Sequence, residues 1–438
     1  MFTQLLGKYL IEQNVITAED NRQLHDEMGQ TRVKLGTIAV ADGLLNADQV
    51  EEINHLQTQQ DKRFGDIAIG LGYITADQLD GMLSKQGNAS MKYYQLLNEK
   101  KNISMDKIEE YVKAFQTSMG FTDNEMDAIK NDDYGTLMTF FALVRDKLIT
   151  DMAGLVMRNL TRFVTSDFYF GRMKRSTDYN YSIIAGQKAI GDNAIYLGFA
   201  AGSDIDGIME LAKGYAKGVA ISGSEEVYDA VCEFANLNNG LLSSELSKHD
   251  EFSDMNPPQV FLRQAIKGTA YVMPIFIKDK QVDLVISTDA EFAPGENEHK
   301  LNIKKTDETE KTVNNAGNIM IVDDSALIRK MLRQLLEKNN YAVVAEATNG
   351  EEAIETYSRV KPDIVTLDVT MPGMDGVGAL KGIIEKDPEA KVIMVTAAGQ
   401  KDRVVEALKI GAKAFVTKPF NEADLLKNLT ECSAGIYE

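Results

Sequence analysis

Cysteine and histidine are scarce, and neither is grouped. Cys232 and Cys432 stand alone and far apart, and the four histidines show no ligand spacing. A disulfide framework and a zinc site are therefore not expected. Long hydrophobic runs are missing too, so nothing predicts a membrane span. The start, Met1 to Asp20, carries Lys8 and Glu12 inside its apolar pattern and reads as neither signal peptide nor anchor. Positive charge is in deficit, with 47 Lys and Arg against 66 Asp and Glu, a net charge of -19. Such a surface disfavours nucleic acid and anionic lipid as partners. No basic DNA-reading segment precedes Glu438, so a transcriptional output is not expected. Together these absences predict a reducing, cytoplasmic setting.

With 438 residues, of which 44% are hydrophobic, the chain predicts two to four globular domains. Its most informative stretch is Ile364-Val365-Thr366-Leu367-Asp368-Val369-Thr370-Met371-Pro372-Gly373-Met374-Asp375-Gly376. A short apolar run ends in one carboxylate and a turn follows at once, as where a buried parallel strand delivers a reactive group beyond its carboxyl end. Ile319-Met320-Ile321-Val322 ends likewise in Asp323-Asp324, Val392-Ile393-Met394-Val395 in Thr396, and Ala414-Phe415-Val416-Thr417 in Lys418-Pro419. Parallel pairing would bring three carboxylates, a hydroxyl and an ammonium into one crevice. Crowded carboxylates cannot all stay ionised without a cation, so Asp323, Asp324 and Asp368 ask for a hard divalent ion such as Mg2+. Asp368 could then attack phosphorus, with Lys418 as positive partner and Thr396 as hydroxyl donor.

Residues 317–438 resemble the receiver domain of bacterial response regulators, as in chemotaxis CheY. The acid pair, the D-x-x-M-P-x-M-D-G string, the strand-end Thr and the K-P-F string stand in the same order. The resemblance implies an α/β flavodoxin-like fold, a doubly wound parallel five-stranded sheet. It makes Asp368 the phosphoacceptor, loaded by a histidine kinase or small phosphodonor. Asp323, Asp324, Asp368 and the Thr370 backbone carbonyl would hold Mg2+, while Thr396 and Lys418 read the phosphoryl group. It also implies a cis Lys418-Pro419 bond and an aromatic switch at Phe415. Thr370 and Ala398 occupy the positions that tune phosphate lifetime in the family, and neither carries a carboxylate or carboxamide. Unhurried self-dephosphorylation is therefore expected.

The first ninety residues repeat. Leu6-Gly7, Leu35-Gly36 and Phe64-Gly65 recur 29 residues apart, each followed by a turn at Asn14, Gly43 or Gly72. Thr17, Asn46 and Thr75 then stand as helix caps before Ala and an acid. Each unit reads as a helix, a turn and a capped second helix. Lys34-Leu35-Gly36 through Gln57 and Arg63-Phe64-Gly65 through Gln86 resemble the cyclic-di-GMP-binding MshEN repeat, which implies a guanine contact for Arg63. A helical docking module that kept the scaffold is the alternative.

Mixed strand and helix patterns fill residues 139–293, an α+β reading. Ala194 to Phe199 reads as a strand, Asp204 to Lys217 as a helix, and Ala270 to Ile277 with Val282 to Ser287 as a hairpin. Between them Asp229, Glu233, Asn236 and Gly240 fall on one helical stripe, with Val227, Val231, Ala235 and Leu242 opposite. The reading presents that polar stripe outward. The string resembles the CheX/CheC chemotaxis phosphatases, with Pro257 and Pro258 downstream. That implies insertion of the helix into a phosphorylated receiver, where Asn236 positions water and Glu233 pairs with the receiver Lys. A single such helix favours the CheX-like form, which implies a homodimer.

The expected organisation is a multidomain chain. Helical MshEN-like repeats span 1–90, a helical connector 91–138, a CheX-like module 139–293, a charged flexible linker 294–316 and the receiver 317–438. The function expected is a two-component response regulator of chemotaxis or motility, with a phosphatase module acting on its own or another receiver. A non-enzymatic, phosphorylation-gated scaffold, or a cyclic-di-GMP sensor, is the rival.

Overall fold

The structure is a computed structural model, and it describes residues 1–28, 33–60, 64–85, 88–142, 144, 146–191, 194–247, 253–301, 316–397, 400–418, 420 and 422–434. The chain forms two compact units, Met1–Phe140 and Phe141–Glu438. No helix among the described residues is long and apolar enough to cross a membrane.

The first unit is helical. Three helix pairs follow the repeat: α1 (Phe2–Glu12) with α2 (Ala18–Met28), α3 (Leu35–Ala41) with α4 (Ala47–Gln60), and α5 (Phe64–Gly70) with α6 (Ala76–Ser84). The turn residues Asn14, Gly43 and Gly72 all adopt positive φ, at 56°, 66° and 76°. The caps form as the spacing predicts. Asp20 N–H donates to Thr17 Oγ1 at 3.1 Å, Gln49 N–H to Asn46 Oδ1 at 2.9 Å and Gln78 N–H to Thr75 Oγ1 at 3.2 Å. The repeated glycine has a packing cause: a Cβ on Gly7, Gly36 or Gly65 would meet Asn21, Val50 or Leu79 at 2.3, 2.7 or 2.6 Å. The second helix of each pair lies too close for any side chain there.

Four helices complete this unit: α7 (Ala89–Lys101), α8 (Met105–Met119), α9 (Asp123–Lys130) and α10 (Tyr134–Phe141). Both α7 and α8 pack on the repeats, although their sequence reads as a polar connector. Buried Tyr93 donates to Asn21 Oδ1 at 2.6 Å, and Phe115 meets Phe2 edge-on with centroids 6.1 Å apart.

The second unit holds two sheets. α10 ends at Phe141, and α11 (Lys147–Asn159) starts afresh under an Asp146 cap. Next come β1 (Phe168–Phe170), β2 (Lys174–Ser176), β3 (Asn180–Gly191), β4 (Ile195–Ala201), α12 (Asp206–Tyr215), α13 (Ser224–Ser247), β5 (Ser253–Met255), β6 (Gln259–Ala265), β7 (Ala270–Ile277), β8 (Lys280–Ser287) and β9 (Glu298–His299). They form an antiparallel sheet with the order β1-β7-β8-β4-β3-β6-β9, with β2 beside β7 and β5 beside β3. The predicted hairpin is β7–β8. Lys278 and Asp279 at its tip have φ of 47° and 62°, the paired positive values of a tight two-residue turn. Helices α11, α12 and α13 cover this sheet. Within the segment expected to be a linker, β9 pairs with β6, and residues 302–315 lie outside the described residues.

The second sheet is built from β10 (Asn318–Val322), β11 (Ala342–Ala347), β12 (Ile364–Asp368), β13 (Val392–Ala397) and β14 (Ala414–Lys418), all parallel in the order β11-β10-β12-β13-β14. Helices α14 (Ala326–Lys338), α15 (Gly350–Val360), α16 (Gly376–Lys386), α17 (Lys401–Ile410) and α18 (Glu422–Ala434) alternate with the strands. Cores lie on both faces, one around Leu367 and Leu380, the other around Ile321 and Leu425. The order reverses between β10 and β12, the switch point at which such sheets open a crevice.

Candidate functional site

Parallel pairing places four predicted strand ends at one edge. The register sets Asp368 beside Val395 and Lys418 beside Ala397, while Asp323 follows directly after β10. Lys418 Nζ lies 2.8 Å from Asp323 Oδ2 and 3.2 Å from Asp368 Oδ1, and all three side chains are buried. Asp323, Asp324 and Asp368 offer carboxylate oxygens within 4.8 Å of one another. The backbone around them is fixed from several sides. Ser325 N–H donates to Asp323 Oδ1 at 2.9 Å, and the Arg329 guanidinium donates to the carbonyls of Asp323 and Asp324 at 2.8 and 3.1 Å. A Cβ on Gly376 would lie 1.9 Å from the Asp368 carbonyl oxygen, so the turn after the strand admits only glycine there. The neighbouring Asp375 is a helix cap, accepting from Gly378 N–H at 2.7 Å.

Charge is concentrated at this edge. Burial pushes Asp368 up to about 7 against the opposing pull of Lys418, and raises Asp324 well above the carboxylate range with the help of its acidic neighbours. Burial alone would lower Lys418, but Asp323, Asp368 and Glu233 outweigh it and hold the ammonium above its ordinary value. Three acids share one ammonium. Asp323 Oδ2 meets Lys418 as an ion contact without a well-directed hydrogen bond, which leaves its lone pairs for a cation. An all-oxygen donor set with surplus negative charge fits a hard divalent ion.

Thr396 is buried at this edge, and its hydroxyl donates to Gln400 Oε1 at 2.9 Å. Gln400 Nε2 in turn donates to Thr370 Oγ1 at 2.7 Å. Thr370 thus stands two residues beyond Asp368 with its side chain engaged. Phe415 is 46% exposed. Pro419 and Ala398 lie outside the described residues.

The polar stripe of α13 is not where the sequence put it. The reading set it outward, whereas Asp229, Glu233 and Asn236 are 4%, 7% and 8% exposed. The cause is packing on two sides, because α13 lies on β3 and β4 with one face and on α14 and β13 with the other. Asp229 Oδ2 accepts from Leu327 N–H at 2.8 Å and from the Ser325 hydroxyl at 3.0 Å, capping α14 from outside its own chain segment. Glu226 pairs with Lys330 at 2.5 Å. Burial raises Glu233 well above its usual range, and the chief force opposing the rise is the Lys418 charge. Asn236 is held from its own sheet: Gln187 Nε2 donates to its Oδ1 at 3.0 Å, and Gln187 Oε1 accepts from Asn239 Nδ2 at 3.0 Å. Arg63 lies outside the described residues, and Lys34 of the same repeat pattern is ion-paired with Glu99 at 2.6 Å.

The edge therefore gathers Asp323, Asp324, Asp368, Thr396 and Lys418, and α13 buries Glu233 within the electrostatic reach of the same ammonium. Sequence reasoning singled out Glu233 and Asn236 for chemistry and missed the docking role of Asp229. Its signal was present in the four-residue spacing, but its partner amide lies about a hundred residues downstream. Gln400 carried no signal at all.

A family model for the response regulator receiver domain matches residues 319–430. A chemotaxis protein CheY of Thermotoga maritima is 49% identical over 115 residues, which are 26% of this chain and 96% of that relative. The CheY of Bacillus subtilis is 47% identical over 116 residues, again 26% of this chain and 97% of the relative. A solved CheX-CheY-BeF3-Mg complex from Borrelia burgdorferi contains a chain 40% identical, with a TM-score of 0.26, covering 26% of this chain and 87% of that one.

Proposed function

The chain belongs to the response regulator receiver family through residues 319–430, and on that premise we propose a phosphorylation-controlled signalling protein that carries its own phosphatase helix. In this reading Asp368 attacks the phosphorus of a histidine kinase phosphohistidine or a small phosphodonor. A P–O bond to the carboxylate forms as the bond to the donor breaks. Asp323, Asp324, Asp368 and the Thr370 carbonyl would hold Mg2+, which would supply neutralising charge for the phosphoryl oxygens. Lys418 stays protonated among three acids and pairs with the phosphoryl group, and the Thr396 hydroxyl donates to it.

Removal of the phosphoryl group is assigned to α13. Asn236 positions the attacking water through its carboxamide, which can accept and donate without titrating. Glu233 feels the Lys418 charge and would pair with it once the helix closes on the phosphorylated strand ends. Positioning of this kind can supply several kcal/mol of barrier lowering. The observation that carries the reading is the packing of α13 on α14 and β13 of the same chain, with Glu233 and Asn236 buried. It favours action in cis. Because the relatives are chemotaxis proteins, we assign the chain to chemotaxis or motility signalling in the cytoplasm. For the N-terminal unit we keep the protein-docking module as the reading and the cyclic-di-GMP site at Arg63 as its rival.

The test is a time course of phosphate on the full chain. Asn236→Ala is expected to slow its loss by about tenfold or more, and the wild-type rate should not change with protein concentration. An unchanged rate in the variant removes the phosphatase and leaves the phosphorylation-gated scaffold.

A further inference from the structure

Thr396 has one hydroxyl proton, and in this structure it is directed at Gln400 Oε1. Gln400 does not lie free. Its own Nε2 is anchored on Thr370 Oγ1, so one carboxamide spans the gap between the strand β13 and the turn after β12. These two segments flank Asp368, which ends β12 beside Val395. A phosphoryl group on Asp368 needs a donor on this side, and the buried Thr396 hydroxyl is the donor the strand register supplies. It cannot give its proton to Gln400 and to a phosphoryl oxygen together.

We propose that Gln400 is a positioning residue that holds the Thr396 proton away from Asp368 in the unphosphorylated chain and must be displaced for the phosphoryl group to be read. This rests on the phosphoacceptor role proposed above for Asp368 and adds a competitor to it. The one neutral hydrogen bond from Thr396 to Gln400 that must be given up sets the size of the effect. Removing the competitor should tighten the phosphorylated state by the worth of one such bond, about two- to tenfold. Gln400 carries no charge, so the bias it imposes is insensitive to salt.

The probe is beryllofluoride with Mg2+, a phosphoryl mimic, titrated into the full chain and into Gln400→Met, which keeps the side-chain length and loses both hydrogen bonds. Affinity for the mimic is expected to rise about two- to tenfold. The same substitution placed on Thr396→Val is expected to change nothing, because the proton in dispute is gone. A purely structural role for Gln400 would move both backgrounds alike, and that result overturns the proposal. An unchanged or weakened affinity in Gln400→Met overturns it as well, with Asp368 chemistry left standing. Binding of the mimic that survives Asp368→Asn would instead overturn the phosphoacceptor reading, and this inference with it.

Discussion

The two sheets of the second unit place their polar side chains by different rules. In the parallel sheet every strand runs the same way, so residues at successive carboxyl ends meet at one edge whatever their distance in sequence. Asp323, Asp368 and Lys418 do so across about a hundred residues, and Lys418 ends within 3.2 Å of both carboxylates. The antiparallel sheet alternates its strand ends between two edges and cannot gather them. There the polar groups ride on a helix, at four- and three-residue spacing along α13, and the sheet serves to orient them, as Gln187 of β3 does for Asn236. One sheet assembles a site from distant segments; the other presents a local one.

This contrast can be broken at its strongest point first. Asp368→Asn keeps shape and burial but removes the nucleophile, so labelling by acetyl phosphate, followed by intact mass, is expected to fall at least a hundredfold, the scale on which loss of a nucleophile is felt. Labelling that persists would mean that the parallel edge gathers charge without using it.

Asp324→Asn should have a smaller effect, of opposite sign in two conditions. Without Mg2+ the substitution relieves crowding among acids that burial already forces towards protonation, and the melting temperature is expected to rise, by the equivalent of about 1–2 kcal/mol. With Mg2+ the wild type should gain stability and the variant should gain much less. Equal gains would place the cation elsewhere.

The smallest effect concerns the local site. Burial pushes Asp229 from 3.8 up to about 6, so docking of α13 on α14 takes up a proton between those values. A carboxyl raised in the docked state contributes fully below its ordinary value and loses that contribution as pH rises through about 6. Amide exchange at Leu327 and Ile328 should therefore quicken between pH 4 and 6 beyond its intrinsic dependence. Asp229→Asn should flatten the excess. An undiminished excess in the variant would assign the titration to the strand-end acids.

Legibility followed the same division. The strand ends were readable because an apolar run closing on an acid, a Thr or a Lys states both the element and the edge. The repeats were readable because Asn14, Gly43 and Gly72 mark turns that need positive φ, and Thr17, Asn46 and Thr75 mark caps. The α13 stripe was readable as a stripe, but its surroundings were not. Helical spacing tells which residues share a face and says nothing about whether that face meets water or Ser325 and Leu327 of another fold. Gln400 escaped for a related reason: its partners Thr396 and Thr370 come from the strand β13 and the turn after β12, and the bridge exists only once those segments lie side by side.

The double-sided packing of α13 has a consequence for traffic at the receiver. If α13 acts on the receiver as proposed, a protein-sized donor would have to compete with it for the face formed by α14 and β13, so loading and unloading would take turns on a single chain.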